Sequence, residues 1–452
     1  MTAPVDAREI LAEVAATAVL EPVQHTGYLP EEFWSARPVL GRIRQYAHTR
    51  GVSGGGLLYA FLARLSGMLP HHVQAVSGLG GRASLNLFVA VVGGSGVGKS
   101  TGAKVNREML PAADPDFRDG LPIGSGEGIA EAFMGIVDEP TGDIHKSGPN
   151  KGDPVAKRVR KQVRHNAFFY IDEGQIVGKL SERTGSTLGE TLRRAAVGET
   201  LGQTNGREET TRYVEGGTYS LGLLVGFQPS TAAPVLEDAS TGTPQRFLWC
   251  WAADPSIPFE APTDPGPLDD LKCLHDPSGP VDVTFPDSIR AMLRREYVMR
   301  NRGELEVAEH DAHAGLIKVK ASALLALVDG RYEVTEADWA LAEMLWAASC
   351  GVRDTLLIRA QREATAAKQA SEDAKVATAL RTSSAVADQD HETRAVAQLV
   401  KRHAAKVGGI TWGEMNRKLR SDKRMFLERG ITYAIAQGWI HDENGRLCVL
   451  TD

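Results

Sequence analysis

Residues 93–101 read GGSGVGKST, and this segment narrows the folds open to the chain more than any other. It fits the pattern G-x-x-x-x-G-K-[ST] at every defined position, namely Gly93, Gly98, Lys99 and Ser100. The apolar run 85–92 before it predicts a buried strand, and residues 101–110 after it predict a helix. A strand, a glycine-rich loop and a helix in this order predict an α/β fold with a parallel-rich sheet.

The residue types in this loop suit a polyphosphate. Glycines let successive backbone N–H groups turn inward, where a Cβ atom would obstruct the anion. Lys99 would reach the β- and γ-phosphates, and the Ser100 hydroxyl would ligate Mg²⁺. The N-terminus of the following helix favours the same negative charge. We therefore predict that ATP and Mg²⁺ bind here, with contacts from Gly93, Gly94, Ser95, Gly96, Val97, Gly98, Lys99, Ser100 and Thr101.

Carboxylates at two positions are candidates for the chemistry of hydrolysis. The apolar run 167–171 predicts a strand that ends in Asp172 and Glu173. Asp172 would hold the Mg²⁺ shell, and Glu173 would polarise the attacking water. Glu127, after a weaker predicted strand at 121–124, competes for the second role, although a helix N-terminus is also an ordinary place for an acid. We favour Glu173 as the catalytic base.

Two further polar residues flank predicted strands. Gln228 follows the strand 219–227, which we expect between the loop strand and the Asp172 strand. There its amide would sense the γ-phosphate, and a plain loop amide is the alternative. Arg246 precedes the strand 247–253 and follows a flexible segment, so we predict that it reaches the nucleotide of a neighbouring subunit. A solvated arginine is the other interpretation of Arg246.

Charge and cysteine content exclude several classes of protein. The net charge of −6 over 452 residues argues against a generic polyanion binder. Four cysteines lie far apart in sequence, which argues against a zinc site or a disulfide scaffold and suits a reducing compartment. The sequence has no apolar run of membrane-spanning length, and residues 1–16 lack the apolar core of a signal peptide. We expect a cytoplasmic protein that does not bind membranes.

Composition and periodicity divide the chain into five regions. These are a helical region at 1–81, an ATPase core at 82–262, a helical lid at 263–365, a linker or exposed helix at 366–390, and a separate unit at 391–452. The helices expected outside the core and the last unit lie at 31–50, 57–69, 320–330 and 334–357, with glycine-rich breaks at 54–56 and 78–81. Thr335 can cap the last of them.

Three segments of the core read as exposed. Residues 138–154 predict an inserted loop, and residues 157–165 are strongly basic. Segment 198–217 predicts a hairpin or long loop around Asn205-Gly206, with Arg207 and Arg212 on it. This segment has two possible interpretations, a DNA contact in a central channel and a plain surface hairpin.

The last unit, residues 391–452, predicts a winged helix-turn-helix. It holds 11 Lys and Arg residues against 7 Asp and Glu residues, a local net charge of +4. Its pattern is helix, short strand, helix, helix, and a hairpin on Asn444-Gly445. We expect it to bind duplex DNA through a third helix at about 423–437. The exposed cations there are Lys423, Arg424 and Arg429, while Trp412 and Trp439 leave docking to a protein as the alternative.

In order, these motifs resemble a known family. They are FWSARPVLGRI, SLNLFVAVVGGSGVGKS, GSGEGI, FFYIDEGQI, LLVGFQP, PQRFLW and ALLALVDGRYEVTEADWALAEMLW. Over residues 25–360 the chain is similar to P-loop ATPases of RecA or AAA+ type that are encoded beside primase-polymerase domains in actinobacterial phages, plasmids and integrative elements. The resemblance implies a hexameric replicative helicase or helicase-like initiator with single-stranded DNA in its channel. It also implies a separate primase, because the chain shows no primase-polymerase motifs.

Other functions share part of the pattern. A helicase loader or initiator ATPase, which remodels DNA or protein without unwinding, would carry every motif described above. A regulator that binds DNA under the control of a nucleotide is disfavoured by the Asp172–Glu173 pair. A small-molecule kinase is disfavoured by the length of the chain.

Overall fold

A computed structural model describes residues 27–115, 117–174, 187–203, 211–237, 242–275 and 279–450, and at 383–387 it describes the backbone alone. Contacts between residues divide the chain into two units, one up to Ala360 and one from Gln361 onward. The first unit is α/β, and the second combines helices with a small antiparallel sheet.

A five-stranded, all-parallel sheet lies at the centre of the first unit, with strand order β10-β2-β9-β6-β3. The remaining strands form three two-stranded pairs, β1 with β11, β4 with β5, and β7 with β8. In chain order the strands are β1 Val73–Val76, β2 Leu87–Val92, β3 Arg118–Leu121, β4 Met134–Ile144, β5 Pro154–Gln162, β6 Asn166–Ile171, β7 Leu201–Gln203, β8 Arg212–Val214, β9 Ser220–Phe227, β10 Phe247–Trp251 and β11 Val281–Thr284.

Both faces of the strands β10, β2, β9 and β6 are buried, which explains why they read as nearly continuous apolar runs. Along β2, Leu87, Val89 and Val91 belong to one hydrophobic core, which includes the helices on the N-terminal side. Phe88, Ala90 and Val92 alternate with them and belong to a second core on the other face. The strands predicted at 85–92, 167–171, 219–227 and 247–253 are confirmed to within two residues at each end.

The second predicted strand is displaced from its expected position. Residues 121–124 were expected to form it, whereas β3 spans Arg118–Leu121 and pairs with β6. The reason is local, because Ser125 caps the next helix by accepting a hydrogen bond from the Gly128 amide at 3.1 Å. The residues between Leu121 and Ser125 are therefore needed as the connection into that helix.

The predicted inserted loop is partly regular structure. Residues 138–144 belong to β4, which pairs with β5 in an antiparallel hairpin, and residues 145–153 connect the two strands. The basic run on β5 is partly neutralised, because Lys161 pairs with Glu139 at 2.6 Å and Arg160 pairs with Glu131. Strands β7 and β8 form a second hairpin. The predicted turn at Asn205-Gly206, and Arg207 on it, lie outside the described residues.

The described helices of the first unit are Glu31–Ser35, Pro38–Thr49, Gly54–Met68, Lys99–Met109, Gly126–Glu131, Leu188–Val197, Pro229–Glu237, Asp287–Asn301, Ala314–Val328 and the first part of Glu336–Val407. The glycine-rich break predicted at 54–56 is wrong, because these residues form the first turn of a helix capped by Ser53. Glycine is required there by packing, since a Cβ atom on Gly54 would lie 2.8 Å from Arg44 Cγ.

A buried carboxylate ties the end of the first unit to its beginning. Asp338 accepts hydrogen bonds from Arg37 at 2.5 Å and from Arg331 at 2.8 Å. Thr335 caps the helix as predicted, with its hydroxyl 3.2 Å from the Asp338 amide. Burial by itself would raise the pKa of Asp338, but hydrogen bonds from Arg331, Thr335 and Arg37 lower it to about 2.

The second unit begins within the helix Glu336–Val407, so residues 366–390 are helical and exposed wherever side chains are described. Its other elements are β12 Ile410–Thr411, helix Trp412–Lys418, a short 3₁₀ helix Ser421–Phe426, helix Leu427–Ala436, β13 Ile440–Glu443 and β14 Arg446–Val449. The strands form an antiparallel sheet in the order β12-β14-β13. Asn444 and Gly445 have φ angles of 54° and 86°, as a tight type I′ hairpin requires.

Candidate functional site

The loop of residues 93–98 joins the end of β2 to the helix Lys99–Met109. Its start is fixed to the neighbouring strand, because the Gly93 amide donates a hydrogen bond to the Phe227 carbonyl at 3.0 Å. Gly98 precedes the helix with a φ of 82°, in the left-handed region that favours glycine. Since Gly98 has no side chain to cap the helix, the first-turn amides remain available to an anion.

A Cβ atom would not fit at the first residue of this loop. On Gly93 it would lie 2.8 Å from the Cβ of Ala252, the residue that follows β10. Ser95, Gly96 and Val97 at the tip are exposed. The loop is therefore packed at its base and open to solvent at its tip, which suits a ligand that approaches from solvent.

Lys99 points back across the base of the loop. Its ammonium group donates hydrogen bonds to the carbonyls of Gly93 and Gly94, both at 2.7 Å. These contacts hold a positive charge beside the loop amides and keep the long side chain ordered. An incoming phosphate would meet this charge without a large movement of the chain.

Ser100 and Asp172 are in direct contact, although 72 residues separate them in sequence. The Ser100 hydroxyl donates a hydrogen bond to Asp172 Oδ1 at 2.8 Å. Asp172 follows the last residue of β6, so the parallel sheet brings it to the same edge as the loop. A hydroxyl and a carboxylate oxygen this close together are ligands of the type that Mg²⁺ takes, with phosphate oxygens and water completing its shell.

Tyr170 is a member of this site that sequence reasoning missed. Its hydroxyl donates a hydrogen bond to the same oxygen, Asp172 Oδ1, at 2.6 Å. Burial, and then the hydrogen bond to Asp172, hold the pKa of Tyr170 well above its usual range, so the phenol keeps its proton and acts as the donor. The alternation of side chains along a strand is the signal that could have found it, since Tyr170 lies two residues before Asp172.

Gln228 and Glu173 lie beside this contact. Strand β9 pairs with both β2 and β6, as the sequence predicted, so its end lies between the loop and Asp172. The Gly174 amide donates to the Gly226 carbonyl at 2.7 Å, which fixes the segment holding Glu173 to the end of β9. Both Glu173 and Gln228 are exposed. The parallel strands therefore place Glu173 and Gln228 at the carboxyl end of the sheet, the same end as Lys99.

Glu127 has a different environment. It lies in the first turn of the helix Gly126–Glu131, and the Thr187 hydroxyl donates to its Oε1 at 2.8 Å. A backbone hydrogen bond, and then those from Thr187 and Ser125, hold its pKa below the usual range. It lines a separate cavity of about 180 Å³ with Thr191 and Arg194. Strand β3, which precedes Glu127, lies three positions from β2, or about 14 Å at the usual strand spacing.

Arg246 lies at the opposite end of the sheet from the loop, where the parallel strands begin. It precedes β10, whose first residue pairs with Phe88 and whose last pairs with Val92 at the start of the loop. The register places Arg246 level with Leu87, which is about 20 Å along the strand direction from the loop of its own chain. Burial, and then the nearby charge of Arg193, lower its pKa, and its guanidinium donates to the Gly242 carbonyl.

Arg246 has buried basic neighbours. Burial and the charge of Arg246 lower the pKa of Lys320 to about 7. Burial, followed by the charges of Arg246, Lys320 and Arg300, lowers the pKa of His313 to about 4. No local sequence pattern predicts this cluster, because its members come from separate segments of the chain.

In the second unit, exposed cations lie on the helices and the hairpin. From Trp412 onward they are Arg417, Lys418, Arg420, Arg424, Arg429 and Arg446. Lys423 departs from the expected pattern, because it is only half-exposed and pairs with Glu392 at 3.4 Å. The single helix predicted at 423–437 is divided, with a 3₁₀ helix up to Phe426 and an α-helix from Leu427 to Ala436. Trp412 is half-exposed on the preceding helix.

No protein-family model matches this chain, and no curated protein is significantly similar to it. Across the described residues, each helix is too short or too polar to cross a lipid bilayer.

Proposed function

We propose that the chain binds ATP with Mg²⁺ at the loop of residues 93–98 and hydrolyses it. The observation that carries the proposal is the 2.8 Å contact between Ser100 and Asp172 beside the ammonium group of Lys99. The loop amides and Lys99 would bind the β- and γ-phosphates, and Ser100 and Asp172 would hold the metal. When bound, Mg²⁺ would neutralise charge that develops on the phosphate oxygens.

Glu173 is the group we propose as the general base. It is exposed and adjacent to Asp172, so its carboxylate can accept a proton from a water at the γ-phosphate. Gln228, between the loop and Asp172, would contact the same phosphate. Glu127 is held by Thr187 in a separate cavity, which supports Glu173 for this role.

We further propose that ATP hydrolysis drives a DNA motor, a replicative helicase or helicase-like initiator of a phage or mobile element. Arg246 is too far from the loop of its own chain to touch the same nucleotide, so it would serve a neighbouring subunit. This supports a homo-oligomer, with a hexamer favoured and single-stranded DNA in its channel. The second unit would act as a winged helix that binds duplex DNA through exposed cations such as Arg424 and Arg429.

The test is ATP turnover with and without single-stranded DNA, measured beside unwinding of a forked duplex. Wild-type protein should hydrolyse ATP faster with DNA and separate the fork. Lys99→Ala should lose nucleotide binding and turnover together, because Lys99 contacts phosphate in both the ground and transition states. Stimulated hydrolysis without unwinding would identify a loader or remodelling ATPase. No hydrolysis under any condition would refute the proposal.

Mixing of variants tests the role of Arg246. Arg246→Ala subunits keep an intact loop, and Lys99→Ala subunits keep an intact arginine. When the two are mixed, some interfaces join an intact Arg246 to an intact loop, so turnover should exceed that of either variant alone. A monomeric protein with full turnover, or mixtures no more active than the separate variants, would show that Arg246 does not act between subunits.

A further inference from the structure

The oxygen that links Asp172 to the loop accepts two hydrogen bonds. Asp172 Oδ1 lies 2.8 Å from the Ser100 hydroxyl and 2.6 Å from the Tyr170 hydroxyl. Ser100 and Asp172 are exposed, whereas Tyr170 is half-buried in β6 and its ring packs against the core beneath the sheet. One donor is therefore part of the open site, and the other is anchored in the fold.

A carboxylate at the end of a strand can rotate about its side-chain bonds. A hydrogen bond from a ring that is fixed by packing restricts this rotation, and it holds the carboxylate in one orientation before a ligand arrives. Groups that orient a metal ligand in this way contribute strongly to metal affinity, and their loss typically costs 10- to 100-fold.

We propose that Tyr170 is a positioning residue, which holds the Asp172 carboxylate in the orientation that receives Mg²⁺ with the nucleotide. The inference rests on the proposed ATP site, because it assigns Tyr170 to the metal at that site. Tyr170 acts through Asp172, and it needs no contact with nucleotide or metal.

Packing alone could also explain a ring at this position. Phe168 and Phe169, next to it on β6, are fully buried rings without a hydroxyl. Tyr170→Phe separates the two explanations, because it keeps the ring and removes only the donor. If the ring acts by packing alone, this substitution leaves metal binding unchanged.

The experiment measures the affinity of the full chain for a fluorescent ATP analogue, first in EDTA and then across a Mg²⁺ titration. For Tyr170→Phe we expect unchanged affinity in EDTA and a half-saturating Mg²⁺ concentration raised by about 10-fold or more. Asp172→Asn should show a larger loss of the same kind. An unchanged Mg²⁺ requirement in Tyr170→Phe, with a normal Mg²⁺ response of the wild type, would overturn the inference and leave the ATP site standing.

Tyr219→Phe is the matched control. Tyr219 is also a tyrosine of the first unit whose hydroxyl donates a hydrogen bond, in its case to the Glu199 carbonyl at 2.7 Å. It lies at the start of β9, at the edge of the sheet away from Asp172. We expect its Mg²⁺ response to match the wild type. If the wild type binds the analogue under neither condition, the ATP site and the inference both fail.

Discussion

Lys320 offers a sharp test of the folded state, because an amine is buried there with few polar contacts. Its side chain is 4% exposed in the helix Ala314–Val328. The amine donates to the Asn86 carbonyl at 2.8 Å and to the Ala196 carbonyl. Burial, with the charge of Arg246, lowers the pKa of Lys320 to about 7. A neutral amine still has two N–H donors, enough for both carbonyls.

The size of the effect follows from the two protonation states. The fall from the ordinary value of 10.5 to about 7 corresponds to roughly 5 kcal/mol. Between these pH values the unfolded chain binds a proton that the folded chain does not. The free energy of unfolding therefore rises with pH in this window, by up to about 1.4 kcal/mol per pH unit. The stability gained at high pH is lost again as the pH falls towards 7.

Proton uptake on unfolding measures this difference directly. At about pH 8.5, unfolding wild-type protein with denaturant should take up about one proton more than unfolding Lys320→Met does. At about pH 6 the difference should almost vanish, because both states are then largely protonated. Lys318→Met is the matched control on the same helix. A difference below about a third of a proton at pH 8.5 would show that Lys320 stays charged when folded, and would refute the reasoning.

Further outcomes test other parts of the molecule. Asp338→Ala should lower the free energy of unfolding by about 1.5 to 3 kcal/mol, measured by denaturant titration, because it removes a buried acceptor of charged hydrogen bonds while Asp329 still pairs with Arg37 and Arg331. In the wild type the contribution of Asp338 should disappear as the pH falls from about 4 towards 2. Glu173→Gln should bind ATP normally but reduce turnover by at least about 100-fold, whereas Glu127→Gln should stay close to wild type. The reverse order would reassign the base. Replacing Arg424 and Arg429 together by Glu should weaken duplex binding and reduce its salt dependence, the slope of log affinity against log salt concentration, by about two. Binding indifferent to both changes would favour a protein-docking unit.

Local patterns were enough to predict the central sheet and much of the candidate site. The runs that became β2, β6 and β9 are predominantly apolar, because both faces of these strands are covered. Each polar residue just after such a run must lie at the carboxyl edge of a parallel sheet. The proximity of Ser100 and Asp172 follows from this rule together with the position of β9 between their strands.

The remaining features depend on contacts that no local pattern contains. Residue 54 is a glycine because Arg44, from the preceding helix, occupies the space where a Cβ would lie, and a helix begins there because Ser53 caps it. The position of β3 is set by its pairing with β6 and by the helix cap at Ser125 that follows it. Tyr170 read as another apolar strand residue; strand alternation places it on the same face as Asp172, and the orientation of its hydroxyl shows the hydrogen bond between them.

The cations around Arg246 connect the folded-state chemistry to the proposed assembly. Arg246 Nε is buried and has no hydrogen-bond partner among the described residues. Burial, and then the charge of Arg246, lowers the pKa of both Lys320 and His313. In an isolated subunit, the guanidinium of Arg246 therefore lies close to other basic groups, at the end of the sheet away from the loop of its own chain. If a neighbouring subunit presents a nucleotide to Arg246, the phosphate charge offsets that of the guanidinium and the pKa of Lys320 rises. The extra proton uptake expected at about pH 7, where folded Lys320 is close to half-protonated, should therefore shrink when the protein is assembled with ATP, and an unchanged uptake at this pH would argue against contact between Arg246 and nucleotide.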